Sequence, residues 1–289
     1  IEEDLKLNIV DHFDLIAGTS TGGIIALGLG LGMKPREIVD FYLCEGPKIF
    51  PDYMKMKWFQ HWVYRKFSSK PLITALQTCF KNKRFGDSKK RLIIPSYNLG
   101  DDDVYIFRTP HAERLRRDYR VPAWKVALAT SSAPTFFPCT REIDNIRLID
   151  GGVWASNPTM VAIIEAFGTL NVPLSSLWAF SIGTSGAIYQ RRNRLNSGGI
   201  IAWALKNVAI DIILRGQSIG TNNQAAFLLG KERIERLNPK VASDEFSIDG
   251  IYKADDLIGK ASHYSRIYMP KFQQKFATHI AAPYSPIYT

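Results

Sequence analysis

The stretch Asp14–Gly28, DLIAGTSTGGIIALG, decides the predicted fold. An apolar run at His12–Ala17 leads into it and predicts a short buried strand. The run Ser20–Leu31 leads out of it and predicts a helix, whose glycines allow close packing against a sheet. Segments of strand and helix character alternate along the rest of the chain. The sequence therefore favours an α/β fold built in layers.

A single serine stands at this strand-to-helix junction. Gly18, Thr19, Ser20, Thr21 and Gly22 fit the pattern G-x-S-x-G, the nucleophile elbow. The flanking glycines let the backbone bend sharply, and the helix that follows directs free N–H groups at the site, where they can stabilise an oxyanion. This context favours a nucleophilic serine. The alternative is a glycine-rich junction used only for packing or for holding a phosphate.

A serine nucleophile needs a base. The chain has five histidines, which are His12, His61, His111, His263 and His279. In the order Ser…Asp…His of the α/β-hydrolases, His263 or His279 would serve, but neither lies at a glycine-rich strand end. We interpret each histidine as a surface or packing residue.

Asp150 is the stronger candidate for the base. The run RLIDGGV, residues 147–153, places its carboxylate at the end of an apolar strand, and Gly151 and Gly152 follow it. Such a setting raises the pKa of a carboxyl group, as a general base requires. The alternative is a purely structural Asp-Gly turn.

These two motifs resemble those of the patatin-like phospholipases. GTSTGG at Gly18–Gly23 and DGG at Asp150–Gly152 match the Ser–Asp dyad motifs of that family. Ala129–Pro138 (ATSSAPTFFP) and Ser181–Thr184 (SIGT) are further matches. The resemblance spans about Phe13–Thr184, more than half of the chain.

The resemblance implies a three-layer α/β/α fold with a central, mostly parallel sheet. It also implies a lipid acyl hydrolase in which Ser20 attacks the ester and Asp150 acts as base, without a catalytic histidine. Membrane phospholipid is then the expected substrate. No metal or other cofactor is expected, and no DNA or RNA partner; an oligomer is left open.

The family also has a glycine-rich oxyanion loop, G-G-G-x-R-G, several tens of residues before its serine. Only 19 residues precede Ser20 here, and none of them forms that pattern. Because the chain begins at Ile1, we expect the native N-terminus, with this loop, to be missing from the sequence. The absent loop supports a rival, a non-catalytic nucleotide- or lipid-binding module on a patatin fold. A second rival is an esterase with a Ser-His-Asp triad.

The elbow region and EGPKIFP, residues 45–51, are similar to the bacterial patatin-like effectors of cyclic-oligonucleotide anti-phage signalling, the CapV type. This implies activation by a cyclic dinucleotide, and the net charge of +10 suits an anionic ligand. Arg191, Arg192 and Arg194 form a candidate phosphate-contacting cluster. The alternative is a solvated basic loop.

Composition points to one globular protein of 289 residues, 46% of them hydrophobic. We expect a single patatin-like domain over 1–289, with a recognisable core at about 13–184 and a mostly helical extension at 187–289. No apolar run approaches the roughly 18–20 residues that span a bilayer. Three cysteines without metal-ligand spacing suit a reducing cytoplasm. A cytoplasmic enzyme that acts peripherally at the inner membrane is therefore expected, and the aromatic and basic stretch 54–67 is a candidate docking surface.

The remaining elements are predicted from capping and turn signals. A helix that begins at Lys34, with Pro35 in its first turn, is predicted to end at Gly46-Pro47. Two strands joined by a Gly-Asp turn predict a hairpin over 91–109. Further helices are predicted at 122–130, 158–167, 200–214 and 222–229, and a buried strand at 177–182.

Overall fold

The computed structural model describes residues 1–51, 67–184, 186–188, 199, 203, 208–242 and 253–289. The strands in this part of the chain are β1 (Leu15–Ala17), β2 (Arg91–Asn98), β3 (Asp103–Arg108), β4 (Leu148–Asp150), β5 (Ala179–Ile182), β6 (Gly186–Ile188), β7 (Ile234–Leu237) and β8 (Lys240–Ala242). The α-helices are α1 (Glu2–Leu5), α2 (Thr21–Gly30), α3 (Pro35–Ile49), α4 (Ser69–Phe80), α5 (Ala123–Ser131), α6 (Gly152–Ala155), α7 (Thr159–Gly168), α8 (Val208–Leu229) and α9 (Ala254–Lys275). Residues 54–66 of the candidate docking surface and the cluster Arg191, Arg192 and Arg194 lie outside the described residues. Phe67, the last residue of that surface, is buried in the core.

Strand β2 organises the main sheet. On one edge it pairs with β3 in the predicted antiparallel hairpin. On the other edge, its first three residues pair with β1 in parallel and its last three pair with β4 in antiparallel fashion. The strand that precedes Ser20 and the strand that ends at Asp150 therefore share one neighbour.

Helices cover both faces of this sheet. Five consecutive residues of β2, numbers 92–96, are buried, so side chains that point to opposite faces are both shielded from water. Helices α2 and α5 pack against β2 and against each other, while α6 and α7 contact β2 and β1 and also pack against α8. This arrangement confirms the three-layer α/β/α prediction.

The other strand pairs, β5 with β7 and β6 with β8, are parallel. Among the strands of the described ranges, three of the five pairings are parallel; within the four-stranded sheet, β1–β2 is parallel and β2–β3 and β2–β4 are antiparallel.

A large apolar cluster lies between the sheet and the helices α2, α4 and α5. Its fully buried members include Leu27, Leu76, Phe85, Leu92, Phe107, Leu128 and Leu148. A smaller cluster joins Ile163 of α7 to Ala225 and Leu229 of α8 and Ile234 of β7. Because this second cluster ties the predicted core to the helical extension, it supports the single-domain interpretation, which stays a prediction.

Two predicted helix boundaries are wrong. Helix α3 continues through Pro47 to Ile49, since Ile49 is buried in the core and the Phe50 amide bonds to the Gly46 carbonyl. The two helices predicted at 200–214 and 222–229 are, where the structure describes them, one helix, α8. A glycine inside a helix costs only about 1 kcal/mol, so Gly216 and Gly220 do not interrupt α8.

No helix within the described residues is long and apolar enough to cross a membrane.

The turn from β1 to α2 depends on a close backbone approach. The Gly18 amide bonds to the Ile93 carbonyl at 3.1 Å and so extends the β1–β2 pairing. A Cβ atom at Gly18 would lie 2.0 Å from the Gly22 carbonyl oxygen, whereas a Cβ at Gly22 would meet no atom within 4 Å. The first glycine of the motif is therefore required for space, and the second is not.

This difference predicts opposite effects for two matched substitutions. Gly18→Ala forces backbone atoms apart, and we expect it to lower the free energy of unfolding by about 1–3 kcal/mol or more. Gly22→Ala adds a methyl group in open space at the start of a helix, so it is expected to be neutral or stabilising by about 0.5–1 kcal/mol. Urea denaturation of both variants measures the difference. Equal stability of the two would contradict the close approach.

Candidate active site

Ser20 occupies a strained backbone conformation at the apex of the elbow. Its φ and ψ angles are 57° and −127°, a combination that residues with a side chain rarely adopt. The strain is that expected of a nucleophile elbow, in which the serine is held clear of neighbouring side chains. The structure thus confirms the sharp turn predicted from G-x-S-x-G.

Two threonines anchor this elbow. The Ser20 amide donates a hydrogen bond to Thr130 Oγ1 at 3.0 Å, and the Thr130 hydroxyl donates to the Pro95 carbonyl at 2.6 Å. Thr19 donates from its hydroxyl to the Ala155 carbonyl at 2.7 Å. The elbow is therefore fastened to β2, to α5 and to α6, the short helix that follows Asp150.

The role of Thr130 was missed by sequence reasoning. Its run ATSSAP was recognised as a family match, but nothing in the run indicates a hydrogen bond to a residue 110 positions earlier in the chain. The only signal in the sequence was that a residue with a hydroxyl group ends the helix predicted at 122–130.

Asp150 is the last residue of β4 and is only 5% exposed. Its amide donates to the Ser132 carbonyl at 3.0 Å, and its Oδ1 accepts from the Gly152 amide at 2.7 Å. Burial raises the pKa of the Asp150 carboxyl from 3.8 to about 6, and the nearby Ser20 hydroxyl and the Gly152 amide, which favour the ionised form, act against this rise. The structure therefore brings together the two side chains that the sequence had proposed as partners.

A side chain is disfavoured at Gly151 and at Gly152 for two different steric reasons. A Cβ atom at Gly151 would lie 2.3 Å from the Pro95 carbonyl oxygen, so only glycine fits against β2 there. At Gly152 the nearest atom would be Asp150 Oδ1, at 3.0 Å. A side chain at Gly152 would thus crowd the carboxylate.

Both side chains line a wide, mostly apolar cleft of about 2790 Å³. Its apolar wall includes Ile25, Val39, Leu43, Phe50, Phe136, Val153 and Ile213. A cleft of this size and polarity accepts long hydrocarbon groups.

The start of α2 points hydrogen-bond donors at this cleft. Within the part of the chain that the structure describes, the amides of Thr21 and Gly22 donate to no carbonyl, whereas the amides of Gly23 and Ile24 both donate to the Ser20 carbonyl. Free amides at a helix start attract negative charge. They can therefore face an oxyanion formed next to Ser20.

None of the four described histidines bonds to Ser20. His111 is buried and bonds to Glu165 and Thr109, and His12 bonds to the backbone of His279. His279 pairs with Asp14 at 2.7 Å, and His263 packs against Tyr264. The packing interpretation is confirmed for His111 and His12, while His61 lies outside the described residues.

The described ranges contain no set of side chains arranged to bind a metal ion. No group of three or more His, Cys, Asp or Glu side chains there has the geometry of a metal site. Cys44, Cys79 and Cys139 are free thiols.

The sequence of this chain is similar to a family model and to several known proteins. The family model described as patatin-like phospholipase matches residues 2–163, more than half of the chain. A protein named cGAMP-activated phospholipase from Vibrio cholerae is 34% identical in an alignment of 208 positions that covers 65% of this chain and 58% of that protein. One of the same name from Escherichia coli is 32% identical over 65% of this chain and 54% of its own length.

A plant protein is also similar. Patatin-like protein 3 from Arabidopsis thaliana is 32% identical in an alignment of 190 positions that covers 55% of this chain and 44% of the plant protein. The chain thus spans about half the length of the curated relatives it matches.

The buried carboxylate predicts a pH-dependent effect on stability. A carboxyl whose pKa is raised on folding stabilises the protein while it is protonated, and this contribution is lost as the pH rises from about 4 through 6. We therefore expect Asp150→Asn to gain stability over the unsubstituted protein by about 3 kcal/mol between pH 4 and pH 8, at about 1.4 kcal/mol per pKa unit. Denaturant unfolding across this range tests it. Glu142→Gln, at an exposed carboxylate, is the control, and a pH-independent gain for Asp150→Asn would count against the raised pKa.

Thr130 offers a second test through its hydroxyl. Thr130→Val keeps the shape but leaves the Ser20 amide and the Pro95 carbonyl unpaired, which costs about 1–3 kcal/mol for each buried group. We also expect the rate of Ser20 labelling by a fluorophosphonate to fall by about 10–100-fold, because the elbow loses its position. Thr130→Ser retains the hydroxyl and should label at nearly the original rate. Equal labelling of the Val and Ser variants would show that the hydroxyl does not position Ser20.

Proposed function

Because the chain belongs to the patatin-like phospholipase family, we propose that it hydrolyses glycerophospholipid esters with Ser20 as nucleophile and Asp150 as general base. One observation carries the proposal: the hydroxyl on the strained elbow faces a buried carboxylate with a raised pKa, at the wall of an apolar cleft. The names of the relatives support the same class of substrate.

In the first half of the reaction, Ser20 Oγ attacks the ester carbonyl carbon while its proton passes to Asp150. The tetrahedral intermediate carries its negative charge on the former carbonyl oxygen, and the amide of Thr21 is a candidate donor to it. The bond to the glycerol oxygen then breaks, and that oxygen takes the proton from Asp150. An acyl-serine remains, with its hydrocarbon chain in the apolar cleft.

In the second half, Asp150 removes a proton from water, and the resulting hydroxide attacks the acyl carbonyl. Collapse of the second tetrahedral intermediate releases the fatty acid, and Asp150 returns the proton to Ser20 Oγ. A pKa of about 6 suits this double role, since the group is ionised at neutral pH and still basic enough to hold a proton.

Activation by a cyclic dinucleotide belongs to the same proposal. Two relatives at 32% and 34% identity are named cGAMP-activated phospholipases. The net charge of +10 favours an anionic activator. In the cell, this would give a switchable membrane-degrading enzyme for anti-phage defence, cytoplasmic and peripheral at the inner membrane.

The two rival functions have weaker support. An esterase with a Ser-His-Asp triad needs a histidine beside Ser20, and the described hydrogen bonds of His279 go to Asp14 instead. A non-catalytic module would have no need of a strained serine that faces a buried carboxylate.

Substitution of the nucleophile tests the proposal. In the full-length protein with cGAMP, Ser20→Ala should lower the release of fatty acid from phospholipid vesicles at least about a thousandfold, because the acyl intermediate forms on the Ser20 hydroxyl. Ser156→Ala, a serine that lines the same cleft, is the matched control and should retain activity. Circular dichroism checks that both variants fold.

The same assay separates the rivals. His263→Gln and His279→Gln should hydrolyse at close to the original rate, and loss of activity in either would favour the triad esterase. Retained hydrolysis by Ser20→Ala, or failure of a fluorophosphonate to label Ser20, would reject the serine mechanism.

A further inference from the structure

A partly buried arginine lines the same cleft as Ser20 and Asp150. Arg236 belongs to β7 and lies opposite Ser181 of β5 in the parallel pair. Its guanidinium donates to Ser181 Oγ at 2.6 Å and to Ser218 Oγ of α8 at 3.0 Å. Both acceptors are neutral hydroxyls, so neither balances the positive charge.

Several other arginines of the described chain have acidic partners. Arg108 pairs with Glu165 at 2.7 Å, and Arg117 pairs with Asp118 at 2.8 Å. Across the described ranges, no ion pair joins Arg236 to an acidic side chain, and its hydrogen-bond partners are the two serines. Burial lowers the pKa of Arg236 because no nearby carboxylate offsets the loss of water.

Hydrogen bonds connect this arginine to the segment after Asp150. Gln217, the neighbour of Ser218, donates to the Val153 carbonyl at 2.9 Å. Asn157 donates to the Ser218 carbonyl at 3.2 Å. Helix α8 therefore holds the guanidinium in a fixed relation to the candidate base.

A glycine lets the chain after β5 pack closely on the guanidinium. A Cβ atom at Gly183 would lie 3.0 Å from Arg236 Nη2 and 2.2 Å from Asn238 Oδ1, so only glycine fits there. Gly183, Arg236 and Asn238 all line the cleft. A group bound in the cleft would therefore meet the guanidinium next to an amide side chain.

We propose that Arg236, Ser181 and Ser218 form a binding site for a phosphodiester anion in the cleft. A guanidinium is planar, always charged and matched to two phosphate oxygens. Ser218 keeps a hydroxyl proton to donate, whereas the Ser181 hydroxyl is already bonded to Thr159 Oγ1 at 2.9 Å and positions the guanidinium. An anion there would supply the charge that the protein lacks around Arg236.

Two molecules carry this chemistry. One is the headgroup phosphate of a glycerophospholipid, and this reading rests on the proposed function, whose substrate it would orient towards Ser20. The other is a cyclic dinucleotide, with two phosphodiesters in its ring. Direct binding measurements distinguish the two sources and need no catalysis.

The test measures binding of two soluble ligands to the full-length protein by calorimetry. The first is a short-chain diether glycerophosphocholine, which cannot be hydrolysed, below its micelle-forming concentration; the second is cGAMP. Arg236→Met should weaken binding of at least one of them tenfold or more. Arg233→Met is the matched control, because Arg233 precedes β7 but already contacts Glu232 and the Leu174 and Ser175 carbonyls.

The affected ligand identifies the source of the phosphate. A loss confined to the diether lipid assigns the site to the substrate headgroup, and a loss confined to cGAMP assigns it to the activator. Binding of both ligands within twofold of the original protein, in a folded Arg236→Met variant, would overturn the site.

Two further measurements keep the test decisive. If Arg236→Met does not fold, Arg236→Lys is used instead. It retains the positive charge but not the planar guanidinium, and should weaken binding of the affected ligand at least threefold. A diether glycerol without the phosphate, offered to the unsubstituted protein, must bind at least tenfold more weakly than its phosphocholine counterpart if the lipid is the ligand. If cGAMP also fails to bind, equal affinity for these two lipids would refute the site.

Binding and catalysis can fail separately. An inactive protein that still loses affinity on Arg236→Met would refute the hydrolase and keep the anion site. An active protein whose affinities do not change on Arg236→Met would refute the anion site and keep the hydrolase.

Discussion

The candidate site depends on one strand having two different neighbours along the same edge. The first residues of β2 hold β1, which leads to Ser20, and its last residues hold β4, which ends at Asp150. Pro95 lies between the two pairings, where no strand requires its missing amide proton. Its carbonyl accepts the Thr130 hydroxyl, and Gly151 packs directly on it. The candidate nucleophile and the candidate base are thus both positioned against Pro95.

Local sequence was sufficient to predict the two groups that this strand brings together. A serine between glycines at a strand-to-helix junction has a steric signature, and so does an aspartate that ends an apolar strand before two glycines. The hairpin of β2 and β3 and the helix α2 follow from similarly local signals. Each of these features is determined by residues that lie within a few positions of it in the sequence.

Residues whose role depends on distant partners could not be predicted in this way. Thr130 matters through an amide far earlier in the chain, and Arg236 through serines on two other elements. The errors have a related origin: Pro47 and Gly216 are normal helix breakers, but buried side chains and long-range contacts keep α3 and α8 continuous. Propensity is a weak guide wherever tertiary packing contributes more than the local preference.

The shared edge of β2 also has a consequence for how such a protein can change over time. Because each group is located by backbone pairing to a few adjacent residues, the length of chain between them does not enter the geometry. Surface loops in that interval, such as the turn at Gly100–Asp102 between β2 and β3, can accept insertions or deletions without altering the spacing of hydroxyl and carboxylate. Diversification of the surroundings is therefore compatible with an unchanged reaction centre.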